Sequence, residues 1–118
     1  MATRRFVILE HDHPFWHWDF LVQGEAMAAT WRLMREPCLG EPIYAERLAD
    51  HRLMYLDYEG PVSNNRGHVR RVLSGDVTSE MFPEDPGVER VLTLGAQNFA
   101  SRVVVFHTQD GRCFFQFS

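Results

Sequence analysis

Two histidines and an aspartate near the start of the chain have a spacing that suits metal binding. His17 and Asp19 are separated by one residue, and on a β-strand such residues point to the same side, about 6–7 Å apart along the chain. His11 lies six residues before His17, and a bend at Pro14 would fold it back towards the pair. Two histidines and one carboxylate suit Mn, Fe or Zn and leave coordination positions open for a substrate.

The same residues allow other interpretations. A His-x-Asp pair on an exposed strand face is commonly just solvated, and His11 with His13 would also chelate a metal. We predict His11, His17 and Asp19 as the ligand set, with ligand atoms within about 4–5 Å of one another, and we assign His13 to a loop.

Three further segments carry residues that can bind or protonate a phosphate. His51 and Tyr55 share a face if their segment is a regular strand, where they could donate to a phosphoryl oxygen or protonate a leaving oxygen. A cross-strand aromatic pair with a surface histidine is the alternative. Arg35 ends a predicted strand before a loop, and Arg66 lies in a polar, basic loop suited to nucleic-acid backbone. Both arginines could instead be merely solvated.

Short strands are predicted to position these side chains. Trp16, Trp18 and Phe20 alternate with His17 and Asp19, which predicts a strand with an aromatic core face and a polar face. An Asp-Gly pair at 110–111 predicts a type I′ hairpin turn, and residues 78–86 read as a loop or one helical turn. The candidate strands are 5–10, 16–23, 27–34, 43–48, 53–58, 69–73, 88–94, 102–108 and 112–117. The pattern favours an all-β fold, a small antiparallel β-barrel or sandwich.

Composition bounds the class of protein. With 118 residues, 45% hydrophobic and 24% charged, the chain is predicted to be one globular domain over 1–118. The formal charge of −4 argues against coating nucleic acid by bulk charge, although a local basic site remains compatible. No apolar run approaches the ~20 residues of a membrane span. Two cysteines make neither a disulfide framework nor a cysteine zinc site, which predicts a cytoplasmic protein.

The motifs, in this order, resemble the 3′-phosphoesterase domain of bacterial end-joining DNA ligases of the ligase D type. The resemblance covers roughly residues 5–75. The matching features are a strand ending in His11-Asp12, then His17-Trp18-Asp19, the tryptophan strand 31–37 ending in a basic residue, and Asp50-His51-x-Leu53-x-Tyr55-x-Asp57-Tyr58-Glu59-Gly60.

The resemblance implies a compact β-barrel with a polar groove and a manganese-dependent enzyme. Enzymes of that family remove a terminal ribonucleoside and then a 3′-phosphate from broken DNA. Position by position, His11, His17 and Asp19 correspond to metal ligands, while His51 and Tyr55 correspond to groups that touch the scissile phosphate. Arg35 stands where the family has a basic residue.

Two departures from the family concern the charged residues that hold the substrate phosphate, which we call the phosphate clamp. Leu21 stands where the family has an arginine, and it shares a strand face with His17 and Asp19, so it is predicted to border the metal cleft. The longer N-terminal segment of the active enzymes has no counterpart in residues 1–4. Losing one charged partner of a phosphate costs on the order of 1.5–3 kcal/mol, and Arg35, Arg52 or Arg66 could compensate.

The sequence therefore predicts a metal-dependent phosphoesterase-like protein acting on DNA or RNA–DNA 3′ ends. Its cofactor would be Mn²⁺ or another divalent transition metal such as Zn²⁺. The expected setting is the bacterial cytoplasm, with a separate ligase or polymerase as partner and no membrane. The alternatives are a metal-containing module that binds phosphorylated ends without cleaving them, and a stable β-barrel whose histidines are incidental.

Overall fold

The computed structural model describes residues 4–81, 86–95 and 97–118. These residues form nine strands and one short 3₁₀ helix, η1. The strands are β1 (Arg4–His11), β2 (His17–Gln23), β3 (Met27–Leu33), β4 (Ile43–Arg52), β5 (Gly60–Pro61), β6 (His68–Met81), β7 (Val88–Gly95), β8 (Arg102–His107) and β9 (Cys113–Phe117), and η1 is Leu53–Leu56. Within the described residues, no helix is long and apolar enough to cross a membrane.

The strands form one antiparallel sheet that closes in a ring. The order is β1-β2-β3-β4-β9-β8-β7-β6-β5, and β6 also pairs with β1. β6 can close the ring because its first part pairs with β1 while its last part, Asp76 onwards, pairs with β7. The two-residue β5 adds to the free side of β6 at Val69. The predicted all-β class is confirmed.

Alternate residues of the ring strands build the main core. Phe20 stacks on Phe6 with ring centroids 5.4 Å apart and meets Phe115 edge-on at 5.2 Å. Such pairs stabilise a core by about 0.5–1.5 kcal/mol beyond the burial of their area. All eight strands of the ring contribute to this cluster: Phe6, Ile8, Phe20, Val22, Trp31, Leu33, Ile43, Ala45, Val77, Leu92, Leu94, Val103, Val105, Cys113, Phe115 and Phe117.

A second, smaller core lies on the opposite face of β1, β2 and β3. We call residues 53–67, which include η1 and β5, the cover segment, because they lie over this face. Ion pairing of Arg5 with Asp57, at 3.0 Å, anchors η1 to β1, and Glu59 Oε2 accepts a hydrogen bond from the Arg71 backbone N–H at 3.0 Å. The buried members of this outer cluster are Val7, Leu9, Leu21, Ala28, Leu56 and Val69.

The structure corrects three predictions, which concern one strand, one loop and one turn. Residues 53–56 form the 3₁₀ helix η1 and do not continue β4. The helical turn brings the side chain of Leu56 onto the outer face of the sheet, where it is buried in the smaller core. Residues 78–81 belong to β6, while 82–85 of the predicted loop lie outside the described residues. The hairpin at Gly111 is confirmed but not as a type I′ turn, because Gly111 has φ 85° and Asp110 has no positive φ.

The aromatic face of β2 is only partly as predicted. Phe20 is fully buried and Trp18 packs half-buried against the main core, which confirms the alternation. The prediction that Trp16 is a core residue is wrong, because its side chain is 59% exposed. β2 begins at His17, so Trp16 belongs to the loop before the strand and not to its pleat.

Candidate metal centre

Antiparallel pairing of β1 with β2 brings His11, His17 and Asp19 to one face of the sheet. His11 and His17 are direct partners at the end of this ladder, and Asp19 lies opposite Leu9. The ladder register, and not a bend at Pro14, therefore places His11 beside the pair. One ligand atom from each residue lies within 4.8 Å of the others, which confirms the predicted convergence. We call these three residues the His–Asp cluster; His13 is exposed in the connecting loop.

Backbone carbonyl groups orient both imidazole rings. His17 Nδ1 donates to the Phe15 carbonyl oxygen at 2.8 Å, and His11 Nε2 donates to the Arg66 carbonyl oxygen at 2.8 Å. Because a carbonyl only accepts, these two nitrogens carry the hydrogens. The remaining nitrogens face the carboxylate, with His17 Nε2 3.3 Å from Asp19 Oδ1 and His11 Nδ1 3.5 Å from Asp19 Oδ2.

This arrangement leaves polar atoms buried without hydrogen bonds. Among the described residues, neither His17 Nε2 nor Asp19 Oδ1 has a hydrogen-bond partner, since their 3.3 Å approach lacks hydrogen-bond alignment. In neutral imidazoles the nitrogens that face Asp19 carry lone pairs and no hydrogen. They therefore act only as acceptors, as the Asp19 carboxylate does, and no hydrogen bond can form between them. A cation between these atoms would satisfy them, and carbonyl partners on the far nitrogens are the arrangement seen around metal-bound histidines. The donor set therefore fits a divalent metal ion.

The charges of the His–Asp cluster depend on one another. Burial has the largest effect on Asp19 and raises the pKa of its carboxyl, yet interactions with His11 and His17 together lower that pKa to about 2. The same contact with Asp19 raises the pKa of His11, and partial desolvation opposes this increase. The carboxylate is thus ionised at neutral pH and available as a ligand.

A second contact holds the start of β6, directly after the cover segment, against the loop between β1 and β2. Asp12 Oδ1 accepts a hydrogen bond from the His68 backbone N–H at 2.8 Å, and this bond lowers the pKa of Asp12. Gly67 allows the approach, because it has φ 76° and a Cβ at this position would collide with Asp12 Oδ1. The contact fixes the backbone that carries the Arg66 carbonyl above His11.

A groove of about 390 Å³ opens over the His–Asp cluster between the sheet and the cover segment. His51, at the end of β4, and Tyr55, in η1, meet edge to face across it, with ring centroids 5.8 Å apart. His51 Nδ1 donates to the Ala49 carbonyl oxygen at 3.1 Å, which leaves Nε2 available to a ligand. The lining residues are Leu9, His11, Asp19, Met27, Asp50, His51, Arg52, Tyr55, Val62, Ser63, Arg66 and Val69.

The predicted arginines have different positions. Arg66 lines the groove, where its guanidinium donates to the Ser63 carbonyl oxygen at 2.8 Å and to Ser63 Oγ at 3.0 Å. Arg52, one of the predicted substitutes, lines the groove as well. Arg35 is not among the described lining residues; it pairs with Glu41 at 3.1 Å and donates to the Pro42 carbonyl oxygen at 2.8 Å. The structure therefore does not bring Arg35 to the site.

Leu21 is on the predicted face, but the prediction that it borders the cleft is wrong. Its side chain is fully buried in the outer cluster, beneath the cover segment. Sequence reasoning also missed Arg32, the direct partner of Asp19 on β3. Its guanidinium lies 5.5 Å from the centroid of the Phe15 ring. The sequence does carry a signal for Arg32. It lies between the apolar residues Trp31 and Leu33, so it points to the polar face of β3, and a β2–β3 hairpin would place that face beside Asp19.

Comparisons with known proteins show a similarity that covers part of the chain. No protein-family model matches the chain. The chain is 30% identical over 66 residues to the multifunctional non-homologous end joining protein LigD of Pseudomonas aeruginosa. The aligned residues make up 54% of this chain and 8% of that protein, so the chain spans a small fraction of its relative. The chain is therefore similar, over about half of its length, to part of a protein named for DNA end joining.

Proposed function

We propose that this chain is a metal-dependent phosphoesterase-like protein that removes ribonucleotides or phosphates from the 3′ ends of DNA. The convergence of His11, His17 and Asp19 beneath a groove lined by His51, Tyr55 and Arg66 carries the proposal. The similarity to LigD supports the DNA end-joining context. The substrates would be DNA or RNA–DNA ends, which a ligase would then seal.

The His–Asp cluster would hold one Mn²⁺ or Zn²⁺ ion through His11 Nδ1, His17 Nε2 and a carboxylate oxygen of Asp19. When bound, such an ion supplies Lewis-acid polarisation of a phosphate oxygen. The chain contributes the rest of this arrangement: the Phe15 and Arg66 carbonyl groups hold the rings, and burial of His17 and Asp19 keeps bulk water from the ligand atoms.

The groove residues would act on the phosphate itself. As the imidazolium, His51 would give its Nε2 proton to the leaving oxygen and become the neutral ring, while Nδ1–H stays bound to the Ala49 carbonyl oxygen. Tyr55 would donate its hydroxyl hydrogen to a phosphoryl oxygen, since its ring lies beside His51. Arg66 and Arg52, which line the groove, would supply positive charge to the phosphate in place of Arg35.

The test is hydrolysis of DNA strands ending in a 3′-phosphate or a single 3′-ribonucleotide, with Mn²⁺ and with EDTA. We expect cleavage that depends on Mn²⁺, a loss of at least 100-fold in Asp19→Asn, and about 100-fold slower turnover in His51→Gln. His107→Gln is the matched control, because His107 also pairs with a carboxylate, Glu89, at 2.8 Å but lies outside the groove. Cleavage that persists unchanged in Asp19→Asn would contradict the proposal.

A module that binds phosphorylated ends without cleaving them is the second candidate. Two observations favour it: Arg35 is held by Glu41 away from the groove, and Leu21 is sealed in the outer cluster where the resembled family has an arginine. This candidate predicts that 3′-phosphorylated DNA binds more tightly than 3′-hydroxyl DNA in the presence of Mn²⁺, without turnover. Hydrolysis by the wild-type chain would exclude it.

A further inference from the structure

Two consecutive aromatic rings are exposed beside the His–Asp cluster. Phe15 is 43% exposed and Trp16 is 59% exposed, and both lie in the loop between β1 and β2. Phe15 is held to the cluster, because its carbonyl accepts from His17 Nδ1 and its ring lies 5.6 Å from the imidazole of His17. Apolar rings exposed together at the rim of a polar site indicate a surface that contacts a ligand.

A guanidinium without a carboxylate partner completes this surface. Arg32 lies 5.5 Å from the centroid of the Phe15 ring, and its Nε atom is buried with no hydrogen-bond partner among the described residues. Within the same residues Arg32 forms no ion pair within 4.0 Å, whereas Arg35 and Arg70 each pair with a glutamate. A stacked, partly buried guanidinium of this kind is suited to bind an anion with planar geometry, such as a phosphate.

We propose that Phe15, Trp16 and Arg32, which we call the aromatic shelf, bind a nucleotide of an unpaired strand. The base stacks on Trp16 and a backbone phosphate contacts Arg32. Aromatic side chains combined with arginine are the usual means of binding single-stranded nucleic acid, because every base offers a π-face and every nucleotide a charge. A base within a duplex has both faces occupied by stacking, so the aromatic shelf selects single-stranded 3′ tails.

This inference rests on the proposed function for the identity of the strand, but its test does not need catalysis. A fluorescently labelled ten-residue oligothymidylate is titrated with the protein in EDTA at low salt, and binding is followed by fluorescence anisotropy. We expect Trp16→Ala to weaken binding about tenfold, whereas Trp16→Phe retains most of the affinity. Tyr44→Ala is the matched control, because Tyr44 is another exposed ring, on β4, that does not line the groove.

Two further binding measurements separate the role of the Trp16 ring from that of the Arg32 guanidinium. An abasic oligomer of the same length should bind wild type and Trp16→Ala equally, because it has no bases to stack. Arg32→Gln should reduce the slope of log affinity against log salt by about 0.7, as expected when one phosphate contact to a single strand is lost. Thermal unfolding of each variant checks that the fold is retained.

The proposal is overturned if Trp16→Ala binds the oligothymidylate like wild type, if its defect persists with the abasic strand, or if wild type does not bind in EDTA at low salt. Binding that depends on Trp16 together with absent hydrolysis would refute the proposed phosphoesterase activity and leave the aromatic shelf intact. Hydrolysis together with binding that does not depend on Trp16 would refute the aromatic shelf and leave the proposed phosphoesterase activity intact.

Discussion

Replacing Leu21 with arginine should unfold the outer cluster and should not rebuild a phosphate clamp. Leu21 is fully buried among Val7, Leu9 and Leu56, under the cover segment. Removing such a side chain by Leu21→Ala costs about 2.7–5 kcal/mol, of which ~1.5–3 is lost burial. Leu21→Arg also places a charge in an apolar cluster, so we expect the free energy of unfolding to fall by at least ~4 kcal/mol.

Urea denaturation followed by tryptophan fluorescence measures this loss. Leu39→Arg is the matched control, because Leu39 is 54% exposed and the same substitution there should change stability by less than ~0.5 kcal/mol. The reasoning is refuted if Leu21→Arg unfolds within ~1 kcal/mol of wild type and hydrolyses 3′-phosphate ends faster. That result would mean that the side chain at position 21 reaches the groove.

Three other predictions concern the His–Asp cluster and its support. Gly67→Ala should lower the free energy of unfolding by ~1–3 kcal/mol more than Gly111→Ala, as measured by chemical denaturation. Both glycines have a positive φ, but only a Cβ at position 67 would collide with a neighbour, Asp12. The pKa of Asp19 is about 2 in the folded protein, below the ordinary value of 3.8, so its contribution of ~2 kcal/mol to the free energy of unfolding is present above pH 4 and lost as pH falls through 2. The difference in free energy of unfolding between the metal-free wild type and Asp19→Asn should therefore become smaller as the pH falls from 4 to 2. Mn²⁺ at 100 times its dissociation constant should stabilise wild type by ~2.7 kcal/mol, measured by thermal unfolding, and should leave Asp19→Asn unchanged.

The faces of the strands could be predicted from the sequence, because a strand alternates its side chains. His17 and Asp19 do lie opposite Trp18 and Phe20. The boundary of β2 was predicted less well, since Trp16 continues the alternation in the sequence although the strand begins one residue later. Local pattern gives the period of a strand, but hydrogen bonding to a neighbouring strand sets where it ends.

The surroundings of the site could not be predicted, because they depend on pairings between distant segments. The alternation gives β2 two faces but does not show that the outer one will be covered by η1, which buries Leu21 and leaves Asp19 at the groove. Arg35 was favoured by its place before a loop, whereas its ion pair with Glu41 depends on how that loop folds back. Arg32 came to the site through the register of β2 with β3, which no local motif encodes.

Metal binding by the His–Asp cluster is the central claim, and Mn²⁺ binding measured by electron paramagnetic resonance tests it most directly. Hydrated Mn²⁺ gives a sharp signal that is lost when the ion is bound, so a titration counts the ions held by each chain. We predict one Mn²⁺ per chain for wild type and for His107→Gln, and none for folded Asp19→Asn. Wild-type protein that leaves all Mn²⁺ free, or Asp19→Asn that binds Mn²⁺ as wild type does, would contradict the account.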